Sequence, residues 1–212
     1  MNIFRLVADL LHLASIFILL LKIQQTKSCA GVSLKTQALY FVVFVTRYLD
    51  LFTHFYSVYN SLMKLFFIAS SAYIVYLMWK PYRPTYSAST DTFRAEFLIV
   101  GAALLGLAFP DSWHILDILW SFSIYLEAVA ILPQLFQMTR TGEAETITSH
   151  YVFALGAYRA LYLMNWIYRY YTEGYMDVIA WVAGAVQTIL YADFFYIYLT
   201  RVMRGRLFSL PV

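Results

Sequence analysis

Charged residues and cysteines are scarce in this chain of 212 residues. Only 13% of the residues are Asp, Glu, Lys or Arg, whereas soluble domains carry about 25%. With 62% hydrophobic residues, the composition excludes a soluble globular domain and predicts a polytopic helical membrane protein. The single cysteine, Cys29, excludes an internal disulfide. The basic residues are scattered and form no nucleic-acid-binding motif, so no nucleic-acid partner is expected.

The hydrophobic residues fall into seven segments of a length typical of membrane-spanning helices. These segments are Asn2–Leu21, Thr36–Thr53, Val58–Trp79, Ala95–Phe109, Ile115–Met138, His150–Tyr171 and Met176–Thr200. We therefore expect one all-α, seven-helix membrane domain over residues 1–212, embedded in the lipid bilayer, with a short tail from about residue 201. The first segment resembles a signal peptide, but Asp9 and His12 inside its apolar core favour a retained helix.

The distribution of basic residues indicates the orientation. Ten of the fifteen Lys and Arg residues lie in one set of loops and in the tail: Lys22, Lys27, Lys35, Lys80, Arg83, Arg94, Arg140, Arg201, Arg204 and Arg206. The positive-inside rule predicts that this side is cytosolic, which places the N-terminus on the luminal side.

A weak internal similarity aligns Val32-Ser33 with Ile147-Thr148 and Asp50 with Asn165. It predicts two three-helix repeats joined by a linker helix, as in sugar-efflux-type folds, with a binding site between the repeats. Chance similarity between two apolar segments is the alternative explanation.

Four of the predicted helices carry polar side chains at helical spacing. The sets are Arg5, Asp9 and His12; Arg47, Asp50 and His54; Asp117, Trp120, Ile124 and Glu127; and Tyr158, Tyr162, Asn165 and Arg169. Residues three or four apart share a helix face, and polar faces in lipid turn toward one another or toward a wet cavity.

Two interpretations of these faces are open. The side chains either join the helices by hydrogen bonds, each worth about 0.6–2 kcal/mol, or they bind a ligand. Three arginines near one end favour a multiply anionic ligand, because the planar guanidinium suits carboxylates. His12 is the candidate pH switch, since its unperturbed pKa of about 6.5 allows titration near neutrality.

Several longer motifs are specific to one family. They are Lys27-Ser28-Cys29-Ala30-Gly31, Thr46-Arg47-Tyr48-Leu49-Asp50-Leu51-Phe52, Phe122-Ser123-Ile124-Tyr125-Leu126-Glu127, Tyr158-Arg159-Ala160-Leu161-Tyr162 and Asp193-Phe194-Phe195-Tyr196. In these motifs, and over its whole length, the chain resembles the KDEL receptors, the ER lumen protein-retaining receptors. Pro133-Gln134 also resembles the PQ-loop signature of a wider transporter-like fold.

The resemblance implies a PQ-loop/SWEET-like receptor that cycles between the Golgi and the ER and needs no cofactor or metal. It would capture escaped soluble ER proteins by a C-terminal Lys- or His-Asp-Glu-Leu signal. By resemblance, Arg47 and Tyr48 hold the terminal carboxylate, Arg5 holds the Glu, and Arg169 holds the Asp.

The remaining site residues also follow from the resemblance. Those around the first, cationic residue of the signal are Asp50, Asp117 and Trp120, and those that support or line the site are Glu127, Tyr158, Arg159, Tyr162 and Asn165. His54 departs from the family pattern, and we expect it to add pH sensitivity or to repel a cationic first residue.

Trafficking is assigned by resemblance to Asp193 and to the tail residues Arg204 and Arg206. The two arginines stand where relatives carry lysines that help recruit the COPI coat.

Two other function classes were weighed. A small-solute transporter of the PQ-loop kind is the alternative, but a neutral sugar does not require three arginines. An intramembrane enzyme is the least favoured, because no His-Glu-x-x-His cluster and no Gly-x-Ser-x-Gly elbow occur in the sequence.

Overall fold

The polypeptide folds almost entirely into helices. The computed structural model describes residues 2–141, 143–144, 146–201 and 208–209. Within them the α-helices are α1 Ile3–Thr26, α2 Leu34–Arg47, α3 Val58–Trp79, α4 Ala95–Ala108, α5 Ile115–Val129, α6 Leu132–Thr141, α7 Thr146–Glu173, α8 Val178–Leu190 and α9 Ala192–Arg201. Short 3-10 helices cover Leu49–Phe52 and Arg83–Thr85. Strands β1 (Glu143–Ala144) and β2 (Phe208–Ser209) pair antiparallel.

Polar side chains fix where several of these helices begin. Asn2 accepts a hydrogen bond from the backbone N–H of Arg5 at 2.9 Å, and Ser33 accepts one from Thr36 at 3.1 Å. Asp177 caps α8 in the same way, through the N–H of Ala180 at 3.0 Å. Each cap satisfies a backbone donor that the first helical turn leaves unpaired, so the helix starts are encoded locally.

Each of the seven predicted segments contains one or two helices in the structure. Within the described residues, Ile3–Thr26, Val58–Trp79 and Ile115–Thr141 are long and apolar enough to cross a membrane, and the last of these runs through α5 and α6. The bent pair Val178–Leu190 and Ala192–Thr200 makes a fourth when it is counted as one span. The chain is therefore a helical polytopic membrane protein, and the total of seven spans stays a prediction.

The second predicted segment was wrong at its C-terminal end, because the α-helix does not continue to Thr53. The last α-type bond of α2 runs from the N–H of Tyr48 to Phe44 O at 3.1 Å. The N–H groups of Leu51 and Thr53 then bond to carbonyls only three residues back, as a 3-10 helix requires. Consequently Arg47, Asp50 and His54 do not share the face of one α-helix.

The fifth and seventh predicted segments are each broken into two helices. Pro133 has no backbone N–H, so it cannot continue the hydrogen bonding of α5; the chain turns at Ala130 and Ile131, and α6 begins at Leu132. Between α8 and α9 the axis bends by 41°. Near this bend Thr188 Oγ1 donates to the carbonyl of Gly184 at 2.8 Å, a type of side-chain bond that often bends helices.

The chain divides into two compact units. The first contains Met1–Val32 and Leu135–Val212. In it α1 packs along α7, and α8 and α9 pack against α7 as well. The α1 face that is buried carries Ala8, Ile16, Leu19 and Ile23 at helical spacing, so the core of this unit follows directly from the amphipathic pattern.

The second unit contains Ser33–Gln134. In it α2 packs against α3 and α5, and α4 packs against α5. A glycine permits the close approach of α4 to α5, since a Cβ added at Gly106 would lie 3.0 Å from Cα of Phe122. Small residues at helix contacts allow such close backbone packing.

Candidate ligand-binding site

Arg47 is the last residue of α2, and α5 holds its guanidinium in place. Its Nε donates to Ser123 Oγ at 3.1 Å, and Nη2 donates to the carbonyl of Ser123 at 3.0 Å. Its Nη1 forms an ion pair with Glu127 Oε2. Both side chains are largely buried, 13% exposed for Arg47 and 2% for Glu127. Arg47 is therefore charge-compensated by Glu127.

Ser123 is a contact that the sequence analysis missed, although it lies in one of the family-specific motifs. Its hydroxyl donates to the carbonyl of Trp120 at 2.6 Å while it accepts from Arg47. The half-buried Trp120 is thus tied through its backbone to Arg47. Asp117 lies in the first turn of α5 and accepts a hydrogen bond from Ser112 Oγ, at a helix N-terminus that favours negative charge.

Asp50 lies in the 3-10 turn after α2 and pairs with Lys64 of α3, with Nζ 2.6 Å from Oδ2. A lone lysine in an apolar helix commonly extends its side chain toward the membrane interface. Lys64 does not, because it is only 9% exposed and pairs with Asp50. An ionisable residue inside an apolar helix was the available signal.

Tyr48 and His54 flank this turn on either side. Tyr48 caps the C-terminus of α2, and its ring stacks on Phe44 with centroids 6.0 Å apart. His54 is exposed, and its Nδ1 lies 2.9 Å from Thr53 Oγ1.

In the other unit, the polar faces of α1 and α7 meet as the helical spacing predicted. The Tyr162 hydroxyl donates to Asp9 Oδ1. The ring of buried His12 stacks on Tyr158, with centroids 4.1 Å apart and planes 8° apart. Asn2 Nδ2 donates to Asn165 Oδ1 at 2.8 Å. These side chains join the two helices, which was one of the two open interpretations.

The three arginines of this unit that belong to the predicted site differ in their surroundings. Arg159 is buried, and its guanidinium lies 5.2 Å from the ring centroid of Tyr158. Arg169 pairs with Glu173 at 2.7 Å and lies 4.1 Å from the ring centroid of Tyr175. Arg5 is exposed near the start of α1.

The residues assigned to trafficking by resemblance are Asp193, Arg204 and Arg206. Asp193 is in the first turn of α9, is exposed, and lines a cavity of about 170 Å³ together with Leu135, Met138, Thr139, Leu190, Phe194 and Ile197. Asp193 is therefore not buried within the helical bundle. Arg204 and Arg206 lie outside the described residues.

The largely buried Arg47–Glu127 ion pair and the polar faces of α1 and α7 define a helical membrane protein with ionisable groups inside its packed units. A family model described as "ER lumen protein retaining receptor" matches residues 28–169. The chain is 61% identical to ER lumen protein-retaining receptor 2 of Bos taurus and 60% identical to that of Homo sapiens, over 211 residues and 100% of each chain. It is 58% identical, with the same coverage, to the ER lumen protein-retaining receptor of Drosophila melanogaster.

The chain belongs to the ER lumen protein-retaining receptor family. The resemblance inferred from the motifs is confirmed, and the family is one of receptors rather than enzymes.

Proposed function

We propose that this protein is a pH-dependent sorting receptor for the C-terminal Lys- or His-Asp-Glu-Leu signal of escaped ER-resident proteins. It binds them in the Golgi and returns them to the ER by retrograde transport. Membership of a family whose members are named for retaining ER lumen proteins supports this proposal. The observation that carries it is Arg47, which is held rigidly at the end of α2 by Ser123 and Glu127.

The geometry of Arg47 suits a carboxylate. A guanidinium carries five N–H groups, and Arg47 donates from Nε, Nη1 and Nη2 to partners on α5. Within the part of the chain that the structure describes, one N–H on Nη1 and one on Nη2 remain for a chain-terminal carboxylate. We assign that role to Arg47 with Tyr48, and we expect the bound carboxylate either to share Arg47 with Glu127 or to displace it.

The other two anionic groups of the signal are assigned to Arg5 for the Glu and Arg169 for the Asp. Arg5 is exposed. Arg169 is 32% exposed and its partner Glu173 is 52% exposed. Such exposed pairs are worth about 0–1 kcal/mol, so Glu173 is a weak competitor for a ligand carboxylate.

The first, cationic residue of the signal is assigned to Asp50, Asp117 and Trp120, with His54 beside them. The residues proposed to support the site are Glu127, Tyr158, Arg159, Tyr162 and Asn165, and the proposed pH switch is His12. Binding that takes up a proton on His12 would strengthen as the pH falls, which fits capture in an acidic compartment.

The proposal includes an architecture and a location. Seven helices cross the bilayer of the ER and cis-Golgi as two three-helix repeats of the PQ-loop kind joined by a linker helix, with a luminal N-terminus. The C-terminal tail faces the cytosol, where Arg204 and Arg206 help recruit the COPI coat. Asp193 takes part in recycling.

Binding of a short peptide that ends Lys-Asp-Glu-Leu to the purified receptor tests this function. We expect tighter binding at acidic than at neutral pH. Amidation of the C-terminus removes the charge that Arg47 would bind, and losing one such charged hydrogen-bonded partner costs about 2–5 kcal/mol. Equal affinity for the free and amidated peptides would contradict the proposal.

A further inference from the structure

A lysine lies buried in the apolar helix α3. Lys64 is 9% exposed, and its Nζ is 2.6 Å from Oδ2 of Asp50. Burying a charge is costly unless it is closely paired, so the contact with Asp50, whose side chain is 31% exposed, explains why a charged lysine is tolerated there. It leaves open what else the Asp50 carboxylate can bind.

Two tyrosine rings surround the same ammonium group. Nζ of Lys64 lies 5.2 Å from the ring centroid of Tyr56 and 5.9 Å from that of Tyr48. Both distances are within the range at which an aromatic face attracts a cation. The four-carbon stem of lysine is flexible. If another cation binds Asp50, the ammonium group of Lys64 can therefore move to a cation–π contact with these rings.

Among the described residues, only one of the two oxygens of the Asp50 carboxylate has a hydrogen-bond partner. Oδ2 accepts from Lys64, whereas Oδ1 is buried and has no hydrogen-bond partner within the part of the chain that the structure describes. An ionised carboxylate can accept about four hydrogen bonds. A buried oxygen without a hydrogen-bond partner costs free energy. Asp50 can therefore accept a hydrogen bond from a further donor, and doing so is favourable.

We propose that Lys64 is an internal counterion that sets the preference of the receptor at the first position of the signal. This inference rests on the proposed function, in which Asp50 contacts the first residue of the peptide. Lys64 occupies Asp50 while that position is empty. A cationic first residue must share Asp50 with Lys64 or displace it toward Tyr48 and Tyr56, so Lys64 weakens binding of cationic first residues relative to neutral ones.

The competing explanation is that Lys64 only holds α3 to the turn after α2. The two roles give different results. A purely structural lysine affects the binding of all peptides alike, whereas a competing cation affects only peptides whose first residue is charged.

The test compares peptides that end Lys-Asp-Glu-Leu and Ala-Asp-Glu-Leu, with binding to the full-length receptor measured at one pH. Lys64→Gln keeps an N–H donor for Asp50 and removes the charge. Because close charge pairs couple by about 1.5–7 kcal/mol, we expect the ratio of the Kd for the Ala peptide to the Kd for the Lys peptide to rise about tenfold or more. Lys64→Met should have the same effect, and Lys64→Arg, which keeps the charge, should leave the ratio near its wild-type value.

Asp50→Asn in the Lys64→Gln background should reverse this rise, because the carboxylate for which the two cations compete is then neutral, whereas Asp117 and Trp120 still contact the first residue. An unchanged ratio in both Lys64→Gln and Lys64→Met overturns the inference, including when both affinities fall together. If the wild-type receptor binds neither peptide, the proposed function itself fails, and this inference fails with it.

Discussion

At the scale of single residues, Glu127 takes up part of the charge and hydrogen-bonding capacity of Arg47. The two form a largely buried ion pair on adjacent helices, and removing one partner of such a pair costs about 3–5 kcal/mol. Glu127 therefore fixes the orientation of the guanidinium before any ligand arrives. In the proposed function, a ligand carboxylate would meet an arginine that is already positioned and would compete with the carboxylate of Glu127 for it.

His12 belongs to a polar cluster in which it is the group expected to change charge near neutral pH. Its ring stacks on Tyr158, and Asp9 and Arg159 belong to the same helix pair. We predict that His12→Phe, which keeps a ring for the stack but cannot titrate, removes the pH dependence of peptide binding. If one proton is taken up, the wild-type Kd should change by up to about tenfold per pH unit, whereas the variant should show a flat profile.

The control for this measurement is His150→Gln. His150 is an exposed histidine that is not among the proposed ligand-binding residues, so replacing it should leave the pH profile of peptide binding in place. A His12→Phe receptor that binds the peptide with the wild-type pH profile would show that the switch lies elsewhere.

At the scale of elements, the sequence predicted the helices better than their ends. The seven apolar segments are helical because their length and periodicity specify helices almost regardless of context. The breaks were missed. Pro133 carried a usable signal for the start of α6, but the bend after Tyr191 has neither Pro nor Gly beside it, and the end of α2 at Arg47 depends on how the turn packs.

The candidate site was predicted only in part, for a similar reason. Helical spacing was enough to place His12 and Tyr162 on faces where α1 and α7 meet. Spacing cannot indicate which charges pair across different helices. The Arg47–Glu127 and Asp50–Lys64 pairs join residues far apart in sequence, so they follow from packing rather than from local pattern.

The start of α2 provides a test of how one side chain holds an element in place. Gln134 Oε1 accepts from the N–H of Ser33 at 2.8 Å, and the N–H of Gln134 donates to Thr36 Oγ1 at 3.0 Å. Ser33 and Gln134 are the first and last residues of their unit. We predict that Gln134→Met, which keeps the volume but lacks the acceptor, lowers the free energy of unfolding by about 1–3 kcal/mol.

Thermal unfolding in detergent measures this effect. Phe136→Leu, at an exposed position on the same helix, is the control and should leave the midpoint nearly unchanged. A Gln134→Met receptor as stable as the wild type would mean that the bond to Ser33 contributes nothing to the fold.

At the scale of the whole molecule, the distribution of basic residues predicts which side of the membrane faces the cargo and which side faces the coat. The proposed ligand-binding residues include three arginines that would meet anionic groups, whereas most of the remaining basic residues lie between the seven predicted segments or after the last of them. The positive-inside rule places those loops in the cytosol. If that orientation holds, the protein binds cargo on one side of the membrane and the coat on the other, so the two activities should be separable by mutation.

The tail is where that separation can be tested most directly. We predict that Arg204→Ala combined with Arg206→Ala leaves the affinity for the Lys-Asp-Glu-Leu peptide at its wild-type value and shifts the receptor from the ER toward the Golgi, because two cations that would bind the coat are gone. The matched control is Lys80→Ala combined with Arg94→Ala, which removes two exposed charges from loops on the same predicted side and should leave the distribution unchanged.

The variant with Arg204→Lys and Arg206→Lys reports whether coat binding needs the charge alone, since lysine lacks the planar fork of arginine. Fluorescence localisation in cells and peptide binding to the purified variants give the two readouts. A double-alanine receptor distributed like the wild type would show that these arginines are not the sorting signal, and a loss of peptide affinity in that variant would contradict the separation of the two sides.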